Sequence, residues 1–67
     1  MMIISLNNDK KSVDDNISVE QLLLVCGFDK DKIAVAVNAE FVARSEYATF
    51  TIKADDKVDV LAPVQGG

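Results

Sequence analysis

The chain has 67 residues, with seven lysines and arginines against eleven aspartates and glutamates, which gives a formal net charge of −4. This length allows one domain, and the acidic balance disfavours nucleic acids and anionic membranes as partners. The single cysteine precludes an internal disulfide, and the absence of histidine removes the side chain that most often acts as a general base.

The first predicted element is a strand at residues 2–6, in which Ile4 and Ile3 face opposite sides. The pair Asn7–Asn8 predicts a tight hairpin turn, because asparagine tolerates positive φ. The return strand, 9–14, is polar, as is typical of a solvent-exposed edge strand. No basic segment precedes the apolar N-terminal residues, so we expect no signal peptide. A lone cysteine without an export signal then indicates the reducing cytoplasm.

A helix follows, and its start is the best local signal in the chain. Ser18 is the predicted N-cap, and Gln21 three residues later completes a capping box. Gly27 stands where a helix would end. The apolar residues that recur at helical spacing predict one buried stripe made of Val19, Leu22, Leu23 and Cys26. On that stripe Cys26 is interpreted as a small buried hydrophobe rather than a reactive thiol.

The second half of the chain predicts several short elements. The segment "IAVAV" at 33–37 alternates large and small apolar residues, which predicts a strand packed on both sides. Residues 41–42 predict a short strand, 45–48 a helical turn and 50–52 a further strand. The final strand follows the turn "ADDK", with Val58 and Val60 on one face and Asp59 and Leu61 on the other, and Pro63 ends it. This order predicts an α+β fold with a mixed sheet of four or five strands and one main helix on one face.

The side chains offer no convincing catalytic set. The carboxylates are scattered or paired in turn positions, and no glycine-rich phosphate loop or metal-ligand pattern is present. The remaining reactive group is the α-carboxylate of Gly67, carried by the tail Val64, Gln65 and Gly66. Two glycines without Cβ atoms suit a narrow channel, although a frayed terminus explains such a tail equally well.

Four segments spread along the chain, from "MIISLNND" at its start to "DDKVDVLAPVQGG" at its end, carry a family resemblance. Through them the whole chain resembles the ThiS family of sulfur carriers of thiamin (thiazole) biosynthesis, a ubiquitin-like β-grasp family related to MoaD. "ISVEQLL" is similar to the family's helix start, and "IAVAVNAEFVARSEY" to its Val-Ala-Val-Asn-x-x-Val-Pro-Arg-Ser segment. "DDKVDVLAPVQGG" is similar to its ending in Pro-Val-x-Gly-Gly. The chain departs from the family at Ala43, where proline is usual, and at Asp55, where a turn glycine is usual.

The resemblance implies a β-grasp domain over residues 1–63, with its first and last strands central and parallel, and a flexible tail at 64–67. It also implies a carrier rather than an enzyme, with no cofactor of its own. A ThiF-like adenylyltransferase would use ATP and magnesium to adenylate Gly67. Sulfur from a cysteine desulfurase system would convert the adenylate to a thiocarboxylate, which thiazole synthase, ThiG, would consume.

A docking surface is expected beside such a tail. Alternation places Ile3 and Leu61 on the sheet face away from the helix, where they would be neighbours if the first and last strands pair, and Val64 lies at the start of the tail. Other readings remain open. They are a MoaD-type carrier for molybdopterin synthesis, a ubiquitin-like modifier conjugated through Gly67, and a plain interaction module. An autonomous enzyme fits poorly without a catalytic set.

Overall fold

The computed structural model describes residues 1–62. Within them, five strands form one mixed sheet in the order β2-β1-β5-β3-β4, and one helix packs on one of its faces. The elements are β1 (Met2–Leu6), β2 (Asp9–Val13), α1 (Val19–Cys26), β3 (Ala34–Val37), β4 (Glu40–Val42) and β5 (Lys57–Leu61), with a 3-10 turn at Arg44–Glu46. The predicted α+β architecture is confirmed. The predicted end of the last strand at Pro63, and the proposed tail at 64–67, lie outside the described residues.

The centre of the sheet is the parallel pair β1 and β5. Strand β2 pairs with β1 in an antiparallel hairpin on one side, and the antiparallel hairpin of β3 and β4 adjoins β5 on the other. In the first hairpin Asn7 and Asn8 both adopt positive φ, of 50° and 71°, as the sequence predicts. In the second, Asn38 and Ala39 do the same, with φ of 52° and 70°. The second turn is not predicted from the sequence, because alanine is unfavourable in a left-handed conformation.

Helix α1 begins and ends where the sequence indicates. The Ser18 hydroxyl accepts a hydrogen bond from the Gln21 backbone N–H at 3.1 Å, and the Gln21 side chain accepts one from the Ser18 N–H at 3.2 Å. Gly27 follows the helix with φ of 79°, a conformation that favours glycine. The N–H of Phe28 then donates to the Leu23 carbonyl, which satisfies one of the open groups at the helix end.

The hydrophobic core lies between α1 and one face of the sheet. Leu22 and Leu23 of the helix pack there with inward-facing residues of the strands, such as Ile4, Val35 and Val58. The last three are at most 1% exposed. An eight-residue helix would be unstable alone, so this burial holds it in place.

Two predicted details are wrong, and a third holds in part. Residues 50–52 do not form a strand: only Thr51 makes an isolated bridge, to Ser18, and the segment runs beside the start of α1. On the alanine face of strand β3, Ala36 is buried as predicted, but Ala34 is half-buried beside an open cavity. Cys26 is half-buried at the edge of the core rather than within it.

Candidate functional site

Strand β5 is the element that leads to the C-terminal tail, and it is fixed on both sides. Leu61 pairs with Ala34 on β3. On the other side, β1 has already turned away, and the Asn7 side-chain oxygen accepts a hydrogen bond from the Val60 N–H at 2.7 Å. This bond extends the contact between β1 and β5 beyond the last paired residues, Leu6 and Val58, to Val60. The last described residues before the tail are therefore held in a defined direction.

An apolar surface surrounds the end of β5 on the sheet face opposite the helix. We call it the tail-root surface and define it by Ala34, Phe41, Leu61 and Ala62. Phe41 and Leu61 are 72% and 49% exposed. Together with neighbouring residues they border a cavity of about 340 Å³, lined by Asp31, Lys32, Ile33, Ala34, Phe41, Arg44, Leu61 and Ala62. Exposed large apolar side chains that cluster in this way are typical of interaction sites.

Phe41 is the residue that sequence reasoning missed. It pairs across the sheet with Ala36, which in turn pairs with Asp59, so Phe41 and Asp59 share the open face. Alternation could have found this residue: its neighbour Val42 is buried, so Phe41 must point the other way. The role of Phe41 depends on its distance from β5, which alternation alone does not give.

Charged side chains of both signs border the tail-root surface. Arg44, the single arginine of the chain, and Lys32 lie on the same cavity as Asp31. Within residues 1–62, Arg44 makes one long hydrogen bond, 3.5 Å from its Nη2 to the Asp31 carbonyl oxygen. A guanidinium held this loosely can turn towards a carboxylate of a partner. The surface thus combines an apolar centre with a polar rim, as protein interfaces do.

Ile3 and Leu61 are not neighbours, although their strands pair as predicted. The parallel register sets Ser5 opposite Lys57, and the Ile3 carbonyl accepts from the Asp55 N–H at 2.9 Å. Ile3 lies two strand positions before Ser5, and Leu61 lies four positions after Lys57, so six positions, or about 20 Å, separate the two residues along the strands. Ile3 is 47% exposed on the same open face but belongs to the opposite end of the sheet. The expected cluster of these two residues is therefore wrong.

The predicted tail residues Val64, Gln65, Gly66 and Gly67 lie outside the described residues, so their roles stay predictions, as do the docking roles of Ile3 and Leu61. Among residues 1–62, no three His, Cys, Asp or Glu side chains are grouped closely enough to hold a metal ion. No helix in that part of the chain is long and apolar enough to cross a membrane.

Comparison with known proteins identifies the fold. The chain superposes on the crystal structure of the thiamine biosynthesis protein (ThiS) from Geobacter metallireducens with a TM-score of 0.86 and 26% identity, covering 98% of this chain and all of that one. The solution structure of a thiamine biosynthesis protein from the same organism gives a TM-score of 0.81 at 26% identity, covering 98% of this chain and 88% of that chain. The predicted ubiquitin-like β-grasp fold is confirmed.

Two longer proteins contain a similar stretch. The chain is 33% identical over 66 residues to a thiazole synthase of Paramagnetospirillum magneticum and 32% identical over 66 residues to one of Magnetococcus marinus. In both cases 98% of this chain aligns with 20% of the relative, so the chain spans a fifth of their length. The family model that describes the ThiS family matches residues 4–67, which includes the segment that follows the tail-root surface. By this match and by its fold, the chain belongs to the ThiS family.

Proposed function

We propose that the protein is a sulfur carrier for thiazole formation in thiamin biosynthesis and that Gly67 carries the sulfur. The observation that supports this most directly is the position of the tail-root surface. An exposed apolar patch borders the strand that leads to the Gly-Gly end, and the hydrogen bond from Val60 to Asn7 steadies that strand. A partner that binds the patch would receive the tail at a fixed place.

The chemistry begins at the Gly67 carboxylate, which is a poor electrophile. Attack of a carboxylate oxygen on the α-phosphorus of ATP would form an acyl adenylate and release pyrophosphate. The outer sulfur of a persulfide that a cysteine desulfurase forms would then displace AMP and give an acyl disulfide. A thiol would cleave its S–S bond, leaving the thiocarboxylate on Gly67 and the thiol oxidised in a disulfide. These steps belong to partner active sites, so the protein acts as a co-substrate rather than an enzyme. Glycine presents no side chain that would hinder the carboxylate in the first step or shield its carbonyl carbon from the sulfur nucleophile in the second.

The proposed partners are a ThiF-like adenylyltransferase, which uses ATP and magnesium, a cysteine desulfurase that supplies the sulfur, and thiazole synthase as the acceptor. The names of the two longer relatives favour thiazole synthesis over molybdopterin synthesis. The carrier itself would bind no cofactor. We place it in the cytoplasm, where its one cysteine, half-buried and unpaired, would stay reduced.

The test is the intact mass of the protein after incubation with the ThiF-like enzyme, ATP, magnesium, a desulfurase, cysteine and a thiol reductant. A sulfur carrier gains the mass difference between one sulfur and one oxygen, and fragmentation places the change on Gly67. Deletion of Gly67 should abolish the gain without loss of the fold. The proposal would be refuted if the mass stayed unchanged with an enzyme preparation that adenylates a known carrier under the same conditions. Conjugates through isopeptide bonds to lysine would instead indicate a ubiquitin-like modifier.

A further inference from the structure

Each of the two hairpin turns begins with an asparagine whose side chain binds the backbone of β5. Asn7 and Asn38 are the first residues of their turns and have nearly the same backbone, with φ of 50° and 52°. The Asn7 Oδ1 atom accepts a hydrogen bond from the Val60 N–H at 2.7 Å. The Asn38 Oδ1 atom accepts one from the Lys57 N–H at 2.9 Å. The two amide side chains thus hold the same strand, one at its start and one near its end.

At Asn7 the side chain replaces the backbone carbonyl of the same residue in the pairing of β1 with β5. The Asn7 N–H still donates to the Val58 carbonyl at 2.9 Å, as in a regular parallel pair. Regular pairing would continue with the Asn7 carbonyl accepting from the Val60 N–H. Asn7 begins the turn, however, and the chain leaves the direction of β1 there. The side-chain oxygen accepts that hydrogen bond instead.

This hydrogen bond gives the end of β5 a neighbour on both sides. Val60 and Leu61 pair with β3 on one side. On the other side β1 ends at Leu6, so without the Asn7 oxygen the last residues of β5 would form an edge. Val60 is only 7% exposed, and an unpaired N–H in a buried residue is costly. The Asn7 side chain therefore determines how firmly the end of β5 is held.

The position of this hydrogen bond matters because β5 ends directly after it. Leu61 is the last residue of the strand, and Gly67 lies five positions beyond Ala62. Five residues span at most about 18 Å. The Gly67 carboxylate must lie within that distance of Ala62, so the place and direction in which β5 ends limit where a partner can meet the carboxylate.

Asn38 makes the equivalent bond at the far end of the strand. Its Oδ1 accepts from Lys57, and its Nδ2 donates to the Asp56 carboxylate at 3.0 Å, in the turn that leads into β5. Lys57 lies four residues before Leu61, which corresponds to about 13 Å along the strand. The Asn38 side chain therefore fixes the start of β5 and makes no contact with its end.

Resting on the proposed function, we propose that Asn7 is a positioning residue of the sulfur carrier. Through its hydrogen bond to Val60 it fixes the end of β5, so that the Gly67 carboxylate meets the ATP of the adenylating enzyme in one place. Ala34 and Phe41 of the tail-root surface belong to β3 and β4 and do not depend on this bond. Its loss should therefore leave docking nearly unchanged and slow the step after docking, which requires the carboxylate to be aligned.

The experiment measures single-turnover pyrophosphate release with ATP, magnesium and the purified ThiF-like enzyme in excess over the carrier. Varying the enzyme concentration separates docking, reported by the half-saturating concentration, from the maximal rate of the step that follows. Asn7→Gly removes the oxygen but keeps the turn, since glycine reaches positive φ without strain. We expect its maximal rate to fall about three- to tenfold, the range of one hydrogen bond, with the half-saturating concentration changed less than about twofold.

Two further variants separate positioning from stability. Asn7→Asp keeps an oxygen acceptor and tolerates positive φ, so it should retain the wild-type maximal rate. Asn38→Gly removes the equivalent oxygen at the start of β5, and it should lower the Tm as Asn7→Gly does but leave the maximal rate unchanged. All rates are compared at a temperature where each variant is folded. Amide exchange followed by NMR reports the bond itself: relative to the Val58 N–H, the Val60 N–H should exchange faster in Asn7→Gly alone.

Several outcomes would overturn the positioning role of Asn7. They are a wild-type maximal rate in Asn7→Gly, an equal loss of rate in Asn38→Gly, a failure of Asn7→Asp to restore the rate, and unchanged exchange of the Val60 N–H in Asn7→Gly. Each of them leaves the proposed function intact, because the wild-type carrier is still activated. If the wild-type carrier released no pyrophosphate with an enzyme preparation that adenylates a known carrier, the proposed function would be refuted and the role of Asn7 with it.

Discussion

The same strands build both faces of the sheet, but one face is buried and the other is exposed to solvent. On the face towards α1, Ile4, Val35 and Val58 are at most 1% exposed. On the other face, Phe41 and Leu61 remain largely in solvent. Because side chains alternate along a strand, neighbouring residues of one strand lie on different faces, one in the core and the next on the open surface. One face holds the fold together and the other is available for recognition, so substitutions should separate stability from binding.

The largest expected effect is on the covered face. Leu22→Ala should lower the free energy of unfolding by about 2–5 kcal/mol, because it removes a buried side chain and leaves a cavity. A single core of this size seldom supplies more than about 3–5 kcal/mol, so the loss is comparable to the whole stability of the domain. The matched control is Leu24→Ala on the exposed side of the same helix, which should change stability by no more than about 0.5 kcal/mol. Urea denaturation followed by circular dichroism measures both, and equal losses would remove the distinction between the two sides.

Phe41→Ala tests the open face. We expect binding to the ThiF-like enzyme to weaken about tenfold or more, as for an aromatic residue at the centre of an interface. The Tm should stay close to that of the wild type, because the ring is mostly in solvent. Ile3→Ala is the comparison on the same face, about 20 Å from Leu61 along the strands. Titration calorimetry should show the smaller effect for Ile3, and a larger one would move the docking site to the other end of the sheet.

Ser18→Ala should cost about 1 kcal/mol of stability, because the hydroxyl caps the Gln21 N–H at the start of α1. The substitution does not touch the open face of the sheet. Binding of the folded variant to the ThiF-like enzyme should therefore be unchanged. Thermal unfolding together with the affinity for that enzyme checks this, and a weakened affinity at full folding would link the helix start to recognition.

The smallest expected effect has the opposite sign. Ala39→Gly should raise the free energy of unfolding by about 0.5–1 kcal/mol, because Ala39 has a φ of 70° and glycine reaches that conformation without strain. Asn-Gly is also the favoured pair for a two-residue hairpin turn. Ala34→Gly is the control in β3, where the same change should destabilise. A loss of stability in both variants, measured by urea denaturation, would show that the turn stores no strain.

Local signals predicted much of the fold. The capping box at Ser18, the turn at Asn7–Asn8 and the two faces of β5 are confirmed, because each depends on residues close in sequence. Residues 50–52 have the β-branched and aromatic side chains of a strand. Their backbone groups instead bond to the start of the helix: the Phe50 carbonyl accepts from the Val19 N–H, and the Ile52 N–H donates to the Ile17 carbonyl. That competition is tertiary, so propensity could not reveal it.

The candidate site was harder to predict for a similar reason. Alternation placed Ile3 and Leu61 on the open face, but their separation follows from the register of β1 against β5, which no local pattern contains. The same limit hid Phe41, whose place beside the end of β5 depends on β3 pairing with both β4 and β5. The importance of Gly67 came from the family resemblance, and its role stays a prediction.

The parallel pairing of β1 and β5 has a mechanical consequence. The chain enters the sheet at Met2 at one end and reaches Leu61 at the other. A pull on the C-terminal end against the N-terminal end therefore runs along both strands. The hydrogen bonds from Ser5 to Asp56 and from Asn7 to Val58 would share that load in shear, instead of opening one after another as in an unzipped hairpin. A partner that draws the tail into a narrow channel would thus pull along β5. In that direction the hydrogen bonds between β1 and β5 resist separation of the strands together.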